Sequence, residues 1–169
     1  MKVFLDCELT QDSRAARLIS LALVSECCKE FYVELTDTYA PDDCSEFAVE
    51  HVLPKLNALK SGARLAVAQH TLRQFIEGLG PSIQVCTAAP YWDWKHFCAL
   101  LDPEAGWPAN LDPEPLDVSQ LNGILDLRDI AGVAIPDIPH HALLDARILA
   151  ELHKVLVNRL PMIVRRNQL

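Results

Sequence analysis

The chain reads as one α/β domain with a mixed five-stranded sheet flanked by helices. Two observations predict this. Apolar runs of strand length recur at residues 2–6, 18–24, 31–35 and 83–89, and after the third run the apolar residues switch to helical spacing. A third observation bounds the answer: 169 residues, 50% of them hydrophobic, suit a single domain (1–169) with a substantial core.

Residues 2–6 form a first strand that runs into two acids. Residues 18–24 are almost wholly apolar and suit a central strand covered on both faces. Residues 31–35 suit a third, and the short polar connections allow these three to be antiparallel neighbours. Residues 45–59 and 63–79 carry apolar residues at helical spacing: Phe47, Val52 and Leu56, then Leu65, Leu72, Phe75, Ile76 and Leu79. Residues 83–89 give a fourth strand that Pro90 ends, and 91–101 a helix carrying Asp93. Repeated Asp-Pro, Glu-Pro and Trp-Pro steps mark 102–114 as loop. A short strand at 115–118, a helix at 119–131 and a loop framed by Pro136 and Pro139 follow. The last helix begins at His140 or His141. Pro161 is expected to stop it, leaving a 160–169 tail with Arg165 and Arg166.

The formal charge is −8, so basic patches for long nucleic acid are not advertised, and short substrates or single-stranded ends are favoured over long duplexes. Cys7, Cys27, Cys28, Cys44, Cys86 and Cys98 include no C-x-x-C pair, which suits reduced thiols. No apolar run approaches the ~18 residues of a membrane span, and no leader is evident, so a soluble, cytoplasmic protein is expected. Dinucleotide, P-loop and nucleophile-elbow motifs are absent.

On a strand, Asp6 and Glu8 point to the same side, at its carboxyl end. Carboxylates held so close repel, and a divalent cation would relieve and exploit the repulsion. The plain alternative is a solvated strand end. A second cluster, His140-His141-Ala142-Leu143-Leu144-Asp145, opens the last helix. His140 precedes Asp145 by five residues, about 140° around a helix, so it must sit on the entry loop and swing toward Asp145. That suits a mobile base beside a fixed ligand.

Asp6-x-Glu8, Asp93 at the head of a mid-chain helix, and His140-x-Ala142-x-x-Asp145-Ala146 together resemble the DEDDh branch of the DnaQ-like 3′–5′ exonucleases, over nearly the whole chain. The compact length most resembles the small stand-alone exoribonucleases of that superfamily. Two departures stand out: Gln11-Asp12-Ser13 replaces a frequent glycine after the first motif, and Ala89-Pro90-Tyr91-Trp92 precedes Asp93 in place of an Asn-x-x-Phe pattern. The resemblance implies a ribonuclease H-like fold. It implies two Mg²⁺ or Mn²⁺ ions held by Asp6, Glu8 and Asp145, with Asp93 acting through a water and His140 as general base. It also implies that Leu9 and Thr10 meet the terminal nucleotide, against ordinary strand-end packing.

Other residues keep bland alternatives. Trp92 and Trp94 flank Asp93; Trp94 is a candidate for stacking on a base, and equally for a buried aromatic. His141 falls outside the H-x-A-x-x-D spacing, His96 suits a core or surface histidine, and Arg165 and Arg166 suit a solvated tail. These readings describe a metal-dependent 3′–5′ exoribonuclease that releases nucleoside 5′-monophosphates from single-stranded RNA ends or short oligonucleotides, possessing no membrane partner and forming a homodimer. The alternatives are an exonuclease on short single-stranded DNA, or a catalytically silent nucleic-acid-binding module on the same scaffold.

Overall fold

A computed structural model describes residues 1–119 and 139–166. In chain order its main elements are β1 (Lys2–Leu9), β2 (Leu18–Ser25), β3 (Glu30–Leu35), α1 (Ala58–Ser61), β4 (Gly62–Ala63), α2 (Leu65–Glu77), β5 (Gln84–Thr87), α3 (Pro90–Leu100), β6 (Leu116–Asp117) and α4 (Ala142–Arg166). The sheet has six strands in the order β4-β3-β2-β1-β5-β6. β1, β2 and β3 are antiparallel neighbours, and β5 joins β1 in parallel. The mixed sheet flanked by helices is the expected one, with one more strand.

The extra strand, β4, spans two residues beside β3. It has no apolar run to announce it. Its Gly62 is required by packing: a Cβ there would collide with the Ala58 carbonyl. The single helix expected over 45–59 is broken into a π turn at Ala48–Val52, a 3-10 turn at Leu53–Lys55 and α1. Pro54 lacks the N–H that a continuous helix would use. At the other end, α4 runs on through Pro161 to Arg166, so no tail begins at 160. Proline's fixed φ is itself helical, and the backbone keeps its course at the loss of one hydrogen bond. The helix expected over 119–131 lies outside the described residues from its second residue onward.

Every residue of β2 is buried, as its unbroken apolar run requires. On one sheet face Val3, Leu5, Leu21, Leu23 and Val85 pack against Leu72 and Ile76 of α2 and Phe97 and Leu100 of α3. On the other, α4 closes on the sheet through small residues: Ala142 and Ala146 meet Ala22 and Val24, and further along Leu149 meets Phe4 and Cys86. β1 is therefore sandwiched by α3 on one side and α4 on the other. Among the described residues, no helix is long and apolar enough to cross a membrane.

Phe97 is fully buried at the centre of the larger core. Phe97→Ala should lower stability by about 3–5 kcal/mol in urea unfolding; a loss below about 1 kcal/mol would contradict this packing.

Candidate metal centre

The strand period carries Asp6 and Glu8 to the face that α4 covers. A register shift between Glu8 and Leu9 kinks β1 just beyond the second acid. Asp145 comes down from the first turn of α4. Among the described residues, Asp6, Glu8 and Asp145 form a group whose ligand oxygens all lie within 4.8 Å of one another. Asp93 arrives from the opposite side, in the first turn of α3. It stands outside that tight set but is 5% exposed, and its charge is felt by both Asp6 and Glu8. The Thr87 hydroxyl, at the end of β5, and the Ala89 carbonyl region fix Asp93: Thr87 donates to its Oδ2, and its own N–H bonds Ala89.

Such crowding shifts the acids in one direction. Burial, then the charges of Asp93, Asp145 and Glu8, hold the Asp6 carboxyl well above the usual aspartate range. Burial and then Asp145 push Glu8 up to about 8, against the pull of Lys55. Burial pushes Asp93 up to about 7, against hydrogen bonds that favour its charged form. Asp145 is also raised by burial, opposed by the His141 N–H and by nearby His140, His141 and Lys55. The donor set is all oxygen and anionic when ionised, which fits a hard divalent cation such as Mg²⁺ or Mn²⁺ and does not favour zinc.

His140 lies on the loop before α4, as its spacing from Asp145 requires. Its φ of +45° is left-handed, a strained conformation for a residue with a side chain. Its ring meets the edge of Phe47 at 4.8 Å and lies 6.1 Å from the His51 ring. His141 caps α4: its carbonyl accepts from the Leu144 and Asp145 N–H groups, and its own N–H donates to Asp145 Oδ2 at 2.8 Å.

The residues expected to contact substrate are placed as follows. Thr10 is wholly buried; its hydroxyl accepts from the Arg17 N–H and its carbonyl from Ser45. With no exposed surface, it holds a turn. Leu9 is half-buried against the larger core. Trp94 packs there too, stacked on Phe97 at 5.1 Å and edge-on to Trp107. One helical position, about 100°, separates it from Asp93 and turns it toward the core. A cavity of about 550 Å³ lined by Phe4, Val24, Arg147 and Lys154 lies toward the other end of β1 and contains none of the four acids.

Sequence reasoning missed Lys55. It opposes the raised pKa of both Glu8 and Asp145, and its ammonium donates to the Pro139 carbonyl, tying down the loop that carries His140. The acids therefore do have a basic neighbour. Phe47, His51 and Lys55 recur every four residues, a helical stripe that signalled a shared face.

The raised pKa values have a thermodynamic consequence. Glu8 and Asp93 hold protons in the folded protein that the unfolded chain gives up near their ordinary values of 4.5 and 3.8. Their contribution is present below those values and is lost as pH rises through about 7 and about 8. In chelator, the melting temperature should thus fall between pH 5.5 and 8.5, and Glu8→Gln should flatten the slope. A melting temperature that rises over that interval would contradict the site's electrostatics.

No protein-family profile matches the sequence, and no curated protein matches it significantly. Solved structures do match in fold. The cell-death related nuclease 4 (CRN-4) aligns at a TM-score of 0.67 and 12% identity, over 93% of this chain and 63% of that one. A moderately thermophilic exonuclease I from Methylocaldum szegediense aligns at 0.61 and 13%, over 95% and 41%. A full-length 3′-exonuclease aligns at 0.63 and 11%, over 93% and 81%. The chain thus spans under two-thirds of the first two proteins. It has their mixed α/β, ribonuclease H-like fold.

Proposed function

We propose that this protein is a DEDDh 3′–5′ exonuclease that removes nucleoside 5′-monophosphates from the 3′ ends of single-stranded RNA or short oligonucleotides, dependent on Mg²⁺ or Mn²⁺. One observation carries the reading: Asp6, Glu8 and Asp145 converge within 4.8 Å, with Asp93 behind them and His140 on the adjoining loop. The fold shared with a solved nuclease and two solved exonucleases supports it. Fold alone does not specify chemistry, so the weight rests on the acids.

In this reading Asp6, Glu8 and Asp145 hold the cations, and Asp93 orients the attacking water. His140 takes that water's proton as it attacks the terminal phosphodiester. When bound, the cations supply positive charge opposite the attacking and leaving oxygens. Lys55 keeps the His140 loop in reach. The net charge of −8 fits a substrate gripped at its end over a site whose own charge the cations offset, and not one gripped along its length. The expected compartment is the cytoplasm.

Two substitutions separate the roles. His140→Ala should lower kcat by ~10²–10⁴ and leave Mn²⁺ affinity nearly intact, because the imidazole moves a proton and holds no cation. Asp145→Asn should lose both Mn²⁺ binding and activity. Full activity in excess chelator, or an Asp145→Asn enzyme as fast as wild type, would refute the proposed function.

A further inference from the structure

A path of contacts leads from the buried side of β3 to Asp145. Glu8, Ser20 and Glu34 stand side by side across β1, β2 and β3. Glu34 is 2% exposed; its Oε1 accepts from the Tyr32 hydroxyl at 2.8 Å and from the Asn57 N–H at 3.0 Å. The Tyr32 ring lies stacked on the His141 imidazole, centroids 4.9 Å apart and planes 28° from parallel. His141 then holds Asp145 Oδ2 through its backbone N–H.

Folding alone does not favour this path. Four buried side-chain atoms among the described residues have no protein hydrogen-bond partner: Ser20 Oγ, Glu34 Oε2, His141 Nδ1 and His96 Nε2. The first three lie along it. A buried polar atom without a partner destabilises, whereas apolar side chains on the same sheet face would pack without that cost. Breaches of this kind concentrate where a site needs a particular geometry.

We propose that Glu34, Tyr32 and His141 are positioning residues that clamp Asp145 for cation binding. The proposal rests on the exonuclease reading above. Glu34 and Asn57 fix the hydroxyl end of Tyr32. Stacking on Tyr32 anchors the His141 residue against β3, and with it the position of the backbone N–H that orients the Asp145 carboxylate. The two adjacent histidines face different neighbours: the His140 ring meets Phe47, and the His141 ring stacks on Tyr32 while its N–H holds Asp145. Groups behind a metal ligand act on affinity because they determine how much order the cation must impose.

The test is calorimetric titration of Mn²⁺ into the full chain. The wild type is compared with Tyr32→Phe, which loses only the hydroxyl; His141→Ala, which loses the stacked ring but keeps the N–H; and His141→Phe, which restores a stacked ring. His141→Ala should weaken the Kd by about 10-fold or more, and Tyr32→Phe by a smaller factor. His141→Phe should recover to within about 3-fold of wild type, a rescue that a general loss of packing would not produce. Melting in chelator checks that each variant is folded. Wild-type affinity in both His141→Ala and Tyr32→Phe, or equal losses in His141→Ala and His141→Phe, would overturn the clamp while leaving the exonuclease reading intact. A wild-type protein that binds no Mn²⁺ would overturn that reading and the clamp with it.

Discussion

Four carboxylates crowded at the end of β1 are the constraint on which the rest of the structure depends. Burial raises the pKa of Asp6, Glu8, Asp93 and Asp145, and the charges of Asp93 and Asp145 raise Asp6 and Glu8 further. In a protein under selection for folding alone, such a cluster would be replaced by apolar side chains, because burying like charges costs more than any of the hydrogen bonds here return. A divalent cation among these carboxylates would offset their repulsion, so a cluster that weakens the metal-free protein would suit an ion.

The fold serves this cluster by approaching β1 from both faces. α3 brings Asp93 from the side of the larger core, and α4 brings Asp145 from the other. Ala142 and Ala146 let α4 lie close to the sheet, so that the carboxylate one turn inside it reaches those of β1. Solved nucleases share the overall fold at 11–13% identity. The specific chemistry lies in the side chains that occupy it.

Much of this was legible in the sequence because it was written in periodicities. The unbroken apolar run of 18–24 marked a buried central strand, the Asp6–Glu8 alternation placed two acids on one face, and the apolar stripe after Asp145 marked the last helix. What was not legible depends on contacts between segments far apart in the chain. β4 exists because Gly62 can pass the Ala58 carbonyl, which no local pattern reveals. Thr10 and Trp94 sit near the acids in sequence, but the turn to Arg17 buries one and the helical rotation of α3 sends the other into the core. Lys55 lies 84 residues from the carbonyl it holds. Tyr32 and His141 meet only once β3 and α4 are packed on the same sheet face. Pro161 misled because a proline within a helix breaks one bond and need not end the helix.

The most direct measurement is digestion of a 5′-labelled single-stranded RNA oligonucleotide by the purified protein in Mn²⁺, resolved over time and run beside Asp6→Asn. The expected result is a ladder that shortens one nucleotide at a time from the 3′ end, accompanied by nucleoside 5′-monophosphates. A 3′-phosphate should block it and Asp6→Asn should abolish it. An oligonucleotide that stays intact, or is cut internally, would contradict a 3′–5′ exonuclease built on these four acids.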